Sequence, residues 1–153
     1  MMRWPRGIVL FVALSCSSTA GDTLDGSLSS IYDISFNSVQ IIVDGTQVQV
    51  TYLGDNGVDP AQLSVQTANL VSVAGVAINL VQPDSGNGQL RGTLYYVGAA
   101  GSATQPLPIQ QGTVTFNEVP TVGQTVSGSF AATLSSPSGY TLDGTFSAKA
   151  TAP

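Results

Sequence analysis

Apolar and polar residues alternate with a period of two through the last third of the chain. Between 126 and 134, Val126, Gly128, Phe130, Ala132 and Leu134 share one face, with Ser127, Ser129 and Thr133 on the other. Between 140 and 150, Tyr140, Leu142, Gly144, Phe146, Ala148 and Ala150 face one way; Asp143, Thr145, Ser147 and Lys149 face the other. This is the rhythm of half-buried antiparallel strands. Ser136-Pro-Ser-Gly139 between them has turn chemistry. Earlier, Asp44-Gly45 separates Val39-Gln-Ile-Ile-Val43 from Thr46-Gln-Val-Gln-Val-Thr-Tyr52, which predicts a hairpin with positive φ available at the glycine. Further strands are predicted over 27–36, 62–66, 70–81, 89–98 and 109–116, and loops over 54–60, 83–88 and 98–108. Glu118 and Lys149 are the only Glu and Lys, so the residues that usually clothe helices are nearly missing. The pattern predicts an all-β fold: a single antiparallel β-sandwich or small β-barrel of about nine strands over 23–150, followed by a short tail, 151–153.

A short motif recurs in those strands. Leu24-Asp-Gly-Ser-Leu28, Leu90-Arg-Gly-Thr-Leu94, Val126-Ser-Gly-Ser-Phe130 and Leu142-Asp-Gly-Thr-Phe146 each place a glycine on the same pleat face as its apolar flanks. A missing side chain there lets a strand coil, or lets a neighbour's aromatic ring cover the gap. The functional alternative is a ligand cavity lined by the glycines. The motif's irregular spacing is unlike a solenoid or propeller repeat. Thr23-Leu-Asp-Gly-Ser27 and Thr141-Leu-Asp-Gly-Thr145 are near copies at the two ends and are candidates for neighbouring strands.

The first residues read differently. Arg3 and Arg6 precede the apolar run Ile8-Val-Leu-Phe-Val-Ala-Leu14, and small residues follow. That layout is a secretory signal over 1–15, with an apolar run too short to cross about 30 Å of hydrocarbon as a helix. Ala13-Leu14-Ser15-Cys16 resembles a bacterial lipobox, although Ala13 stands where leucine is usual. The resemblance implies lipidation at Cys16, a tether over 16–22 and attachment to the outer membrane, since serine follows the cysteine. Cleavage after Ala20, giving a soluble periplasmic or extracellular protein, is the rival route. Loss of 1–15 would remove Arg3, Arg6 and the only tryptophan, Trp4, leaving two basic and nine acidic side chains, formally −7.

Together, the lipobox-like start, Asp25-Gly-Ser-Leu-Ser-Ser-Ile-Tyr-Asp-Ile-Ser-Phe36, Val126-Ser-Gly-Ser-Phe130 and Leu142-Asp-Gly-Thr-Phe-Ser-Ala148 resemble uncharacterised β-rich lipoproteins of Gram-negative bacteria. The resemblance covers both ends and about half the chain. It implies a β-domain held at the envelope and brings no activity with it.

Composition narrows the chemistry. One cysteine and no histidine leave no material for a disulfide framework, a Cys/His zinc site, or a Ser-His-Asp or Cys-His centre. Four Lys and Arg in 153 residues cannot form a nucleic-acid face. Charged residues make up 8% of the chain, against roughly 25% in average proteins. For a carboxylate hydrolase, Glu118 is the candidate acid with Asp33, Asp59 or Asp143 as partner, but no spacing selects a pair. The Asp-Gly-Ser/Thr triplets at 25, 44 and 143 do not have the Asp-Thr/Ser-Gly order of aspartic proteases, and no Ser-x-x-Lys accompanies Lys149. Asp84-Ser-Gly-Asn-Gly88 lacks the Lys-Ser/Thr of a phosphate loop. Asp55, Asn56 and Asp59 form a weak calcium candidate without EF-hand spacing. If the core takes Tyr96 with Leu90 and Leu94, Tyr95 turns outward with Arg91 as a possible contact for glycan or protein. The sequence therefore implies no catalytic centre and no cofactor. Its expected partner is a membrane reached through the lipid anchor, with an unidentified protein or glycan beside it. A small-ligand or lipid-carrying barrel is the alternative.

Overall fold

The computed structural model describes residues 21–66, 74–83, 88–99 and 103–153. The proposed signal, Cys16 and Ala20 lie outside these residues, as do the first four residues of the predicted 70–81 strand, most of the 83–88 loop and part of the 98–108 loop.

The described chain is all-β, with ten strands, two short 3-10 turns and no α-helix. In chain order the strands are β1 (Thr23–Asp25), β2 (Ser38–Val43), β3 (Gln47–Leu53), β4 (Asp59–Gln66), β5 (Ala77–Asn79), β6 (Gly92–Val97), β7 (Thr104–Pro106), β8 (Ile109–Phe116), β9 (Thr125–Ser135) and β10 (Ser138–Thr151). They form one curled sheet, a half-barrel, in the order β5-β8-β9-β10-β2-β3-β4-β6-β7, with β1 also on β10. Nearly every pair is antiparallel. The correction is β10 with β2, which run parallel through Ala150↔Ile41 and Thr151↔Ile42. The sheet is therefore mixed.

Alternation places the core as the sequence predicts in β9 and β10. Val126, Phe130, Ala132, Leu134, Leu142, Phe146 and Ala150 are buried, whereas Ser129, Asp143, Thr145 and Lys149 are exposed. Tyr140 and Ala148 are half-buried against the same core. The two strands hold the glycines in a reciprocal arrangement. Gly128 is registered with Phe146, and Gly144 with Phe130. A Cβ on Gly128 would meet the Thr115 carbonyl oxygen, and the Phe146 ring at 2.6 Å. A Cβ on Gly144 would lie 2.6 Å from the Phe130 ring and 2.5 Å from the Tyr52 hydroxyl. Each ring thus covers the gap left by the other strand's glycine, the packing that lets a strong aromatic sit over a coiled strand. Gly92 is filled in the same way by the side chain of Leu80.

The two near copies meet. β1 lies antiparallel to β10 with Thr23↔Thr145 and Asp25↔Asp143, and the outer residues bond reciprocally. Thr23 N donates to Thr145 Oγ1 at 2.9 Å, and Thr141 N donates to Ser27 Oγ at 2.9 Å.

Several predicted elements differ. The 27–36 segment is no strand: Ser27–Ser30 is a 3-10 turn following Gly26 at φ +135°. Ser29 Oγ and Ser30 Oγ bond back to the Gly26 and Ser27 carbonyls, an alternative to the ladder that serines offer readily. The 44–45 hairpin exists, with Val43↔Val48, but Gly45 does not use positive φ. One Asp44 carboxylate oxygen instead accepts from Thr46 N, Thr46 Oγ1 and Gln47 N. Within the predicted loops, Asp59 and Pro60 begin β4 and β7 adds a short strand.

At the ends of the strand order, β5 and β7 are three residues each, short enough to discourage pairing with another chain. The residues after β5 tie the two ends together. Leu80 N donates to the Gly112 carbonyl of β8, while Gly92 N of β6 donates to the Leu80 carbonyl and Arg91 N to that of Gln82. Leu80 is fully buried at this junction.

Candidate functional site

The predicted site residues are scattered over the surface. Glu118 lies just past β8. Its Oε2 accepts from Ser127 N at 2.8 Å and its Oε1 from Ser127 Oγ at 2.9 Å. Asn117 Nδ2 donates to the same hydroxyl at 2.9 Å. The carboxylate thereby secures the connection into β9. Its suggested partners lie elsewhere: Asp143 borders an open cleft on the outer face of β8–β10, Asp33 borders a small cleft beside the first loops, and Asp59 opens β4. None of these clefts is lined by Glu118 together with an aspartate.

Asp55 and Asn56 sit in a 3-10 turn over Asp55–Gly57, with Asn56 in the left-handed region at φ +57°. Asn37 Nδ2 donates to Asp55 Oδ1 at 2.6 Å. Asp55 and Asn56 border a cleft of about 130 Å³ with Asp33, Ser35 and Asn37; Asp59 is not part of its lining. Among the described residues, no group of three Asp, Glu, His or Cys side chains is placed to hold a metal.

Tyr95 lies within β6 and Arg91 just before it, about 13 Å apart as four residues of extended backbone require. Tyr95 is half-buried, with Gln62 of β4 and Pro106 of β7 as its cross-strand partners. It borders an apolar cleft of about 200 Å³ with Leu90, Leu107 and Ile109. Leu90 is 43% exposed, so the core claims Leu94 but not Leu90. Tyr96 does pack on the core, its ring centroid 4.5 Å from that of Tyr32. Arg91 Nε is buried with no hydrogen-bond partner among the described residues.

Sequence reasoning did not find the outer face of β8, β9, β10 and β1. Register aligns Thr115, Ser129, Thr145 and Thr23 in one row of hydroxyls across four strands. Two open clefts of about 400 Å³ each lie on this face, about half of each lining being Ser, Thr, Gln or Asn, with Asp143 in one and Asp22 in the other. The alternation of polar positions was visible, but the row needed the register. The lining of both clefts offers hydrogen-bonding groups, and in the second the Ser127 hydroxyl is the one that donates to Glu118.

The ionisable groups respond to local surroundings. Hydrogen bonds from Thr46 and Gln47 hold the Asp44 carboxyl below its ordinary range, and those from Ser35 do the same for Asp33. Burial pushes Asp22 and Asp59 upward. Tyr52 is fully buried, donates its hydroxyl to the Thr145 carbonyl at 2.8 Å, and is displaced upward by burial and then by Asp22.

No protein-family model matches the chain, and neither the curated proteins nor the solved structures yield a match. Among the described residues no helix is long and apolar enough to cross a membrane.

Proposed function

We propose that this protein is an exported, lipid-anchored β-domain that works as a non-catalytic structural or binding module at the bacterial cell envelope. The observation that carries the reading is the lone Cys16 directly behind a positively flanked apolar run, ahead of a domain in which the Asp44 and Glu118 carboxylates serve a turn and a strand end. Acylation there gives firm attachment without a spanning helix: each buried methylene contributes about 0.8 kcal/mol, so two or three chains hold where one binds reversibly. The outer membrane is the proposed location, on the strength of Ser17. The aromatic and leucine filling of the Gly128, Gly144 and Gly92 gaps favours a solid module over a carrier, for which an enclosed volume of about 300 Å³ or more is usual. A small single barrel, with the strip after β5 as its closing edge, is the finer architecture proposed. Cys16→Ala is the test. Membrane fractionation of the native bacterium should show the variant released from the membrane pellet; retention equal to the unmodified protein would contradict the anchor.

A further inference from the structure

Resting on the anchor proposed at Cys16, we infer that the pole of the half-barrel carrying Val119 and Val122 seats in the interfacial zone of the lipid bilayer. Three observations place lipid and apolar surface together. The first is where the described chain starts. β1 runs antiparallel to β10, so Gly21 and Asp22 lie beside Ser147, in the cleft bordered by Asn117 and Ser127. That is the end at which β8 passes into β9. Four residues lie between Cys16 and Gly21, and the five steps from one to the other span at most about 18 Å when fully extended. An acyl chain on Cys16 therefore holds this pole closer to the membrane than the far turn.

The second observation is what the pole exposes. The connection from β8 to β9 crosses it, tied down by Asn117 N to the Ser127 carbonyl and by Gly123 N to that of Ala150. Within that connection Val119 is 44% and Val122 49% exposed. Val76 is 52% exposed, and its neighbour Gly75 donates to the Phe116 carbonyl at the same end. Three of the five strongly exposed large apolar residues among those described thus gather here. Of the other two, Leu90 shares a cleft with Ile109, which is registered with Leu134 near the opposite end.

The third observation concerns charge. The pole's glutamate, Glu118, is turned back onto Ser127 and does not project from the tip. Apolar side chains on a tethered tip gain by entering the boundary between headgroups and acyl chains. The Ser136-Pro137 turn, about 35 Å away along the eleven residues of β9, would then point away from the bilayer.

Introduced tryptophans test this, because Trp4 lies in the segment that processing removes and each variant then carries a single indole. The full chain, expressed and processed in a Gram-negative host, is reconstituted into phosphatidylethanolamine–phosphatidylglycerol vesicles with brominated acyl chains. Val122→Trp and, independently, Val119→Trp should show blue-shifted emission and loss of intensity to the brominated lipid. Ser138→Trp, at the far turn, should emit as in water and keep its intensity. Water-like, unquenched emission from both valine positions in a chain of acylated mass would overturn the membrane contact alone. A chain of unacylated mass would overturn the anchor, and this inference with it.

Discussion

β10 meets two long neighbours in very different ways. Against β9 it is registered from Ser138↔Ser135 to Lys149↔Thr125, with the Gly–Phe pairs interlocked at the centre. Against β2 it makes a parallel seam of two residue pairs, Ala150↔Ile41 and Thr151↔Ile42. The first contact is local: a short turn brings two strands together and their alternation selects one register. The second joins residues more than a hundred positions apart, with Thr151 Oγ1 donating to the Ile41 carbonyl at 3.4 Å. Farther back along β10, Tyr52 of β3 ties the two parts of the sheet, donating to the Thr145 carbonyl while its ring lies 5.0 Å from that of Phe36 and 6.1 Å from that of Phe130. The difference shows that a strand's pairing partners can be specified by separate devices along its length.

The interlocked half should be the most sensitive to truncation. Phe146→Ala or Phe130→Ala, at side chains 2% and 4% exposed, is expected to cost about 3–5 kcal/mol by opening a void over the facing glycine. Urea unfolding of the processed chain measures this; a loss under about 1 kcal/mol would show that the rings are not the packing element. The tie between β3 and β10 should be probed more gently by Tyr52→Phe. That change keeps the ring and leaves the Thr145 carbonyl without its donor, for an expected cost of about 1–2 kcal/mol in the same experiment. No change in midpoint would remove Tyr52 as a tie between the two parts of the sheet.

The smallest effect concerns the 44–45 turn, which owes nothing to either contact. Asp44 sits below its ordinary value of 3.8 when folded, so its contribution is complete above that value and is lost as pH falls through the lower folded one. Asp33 acts in the same sense, whereas the raised Asp22 and Asp59 favour folding on acidification. Asp44→Ala should therefore lower stability at neutral pH and shallow its decline between about pH 5 and the acid limb. An unchanged pH profile would show that the turn does not depend on the carboxylate.

The same contrast explains what was legible in the sequence. The faces of β9 and β10 could be read residue by residue because alternation and burial coincide there. The Thr23 and Thr141 copies pointed correctly to neighbouring strands. The segment after Gly26 was misread as a strand: Leu28 and Ile34 are buried, but serine hydroxyls bonded to the backbone curl the chain between them. The parallel seam left no local trace, since Ile41 reads as an ordinary strand residue. The candidate sites fared less well for a related reason. The Glu118–Ser127 bond, the gathering of Val76, Val119 and Val122, and the row of hydroxyls all depend on which strands are neighbours.

The central claim, a pleated domain held at a lipid boundary through its processed N-terminus, is tested most directly by the intact mass of the protein purified from membranes. The mass should correspond to a chain beginning at Cys16 and carrying acyl groups. A mass corresponding to an unmodified chain beginning at Gly21 would contradict it.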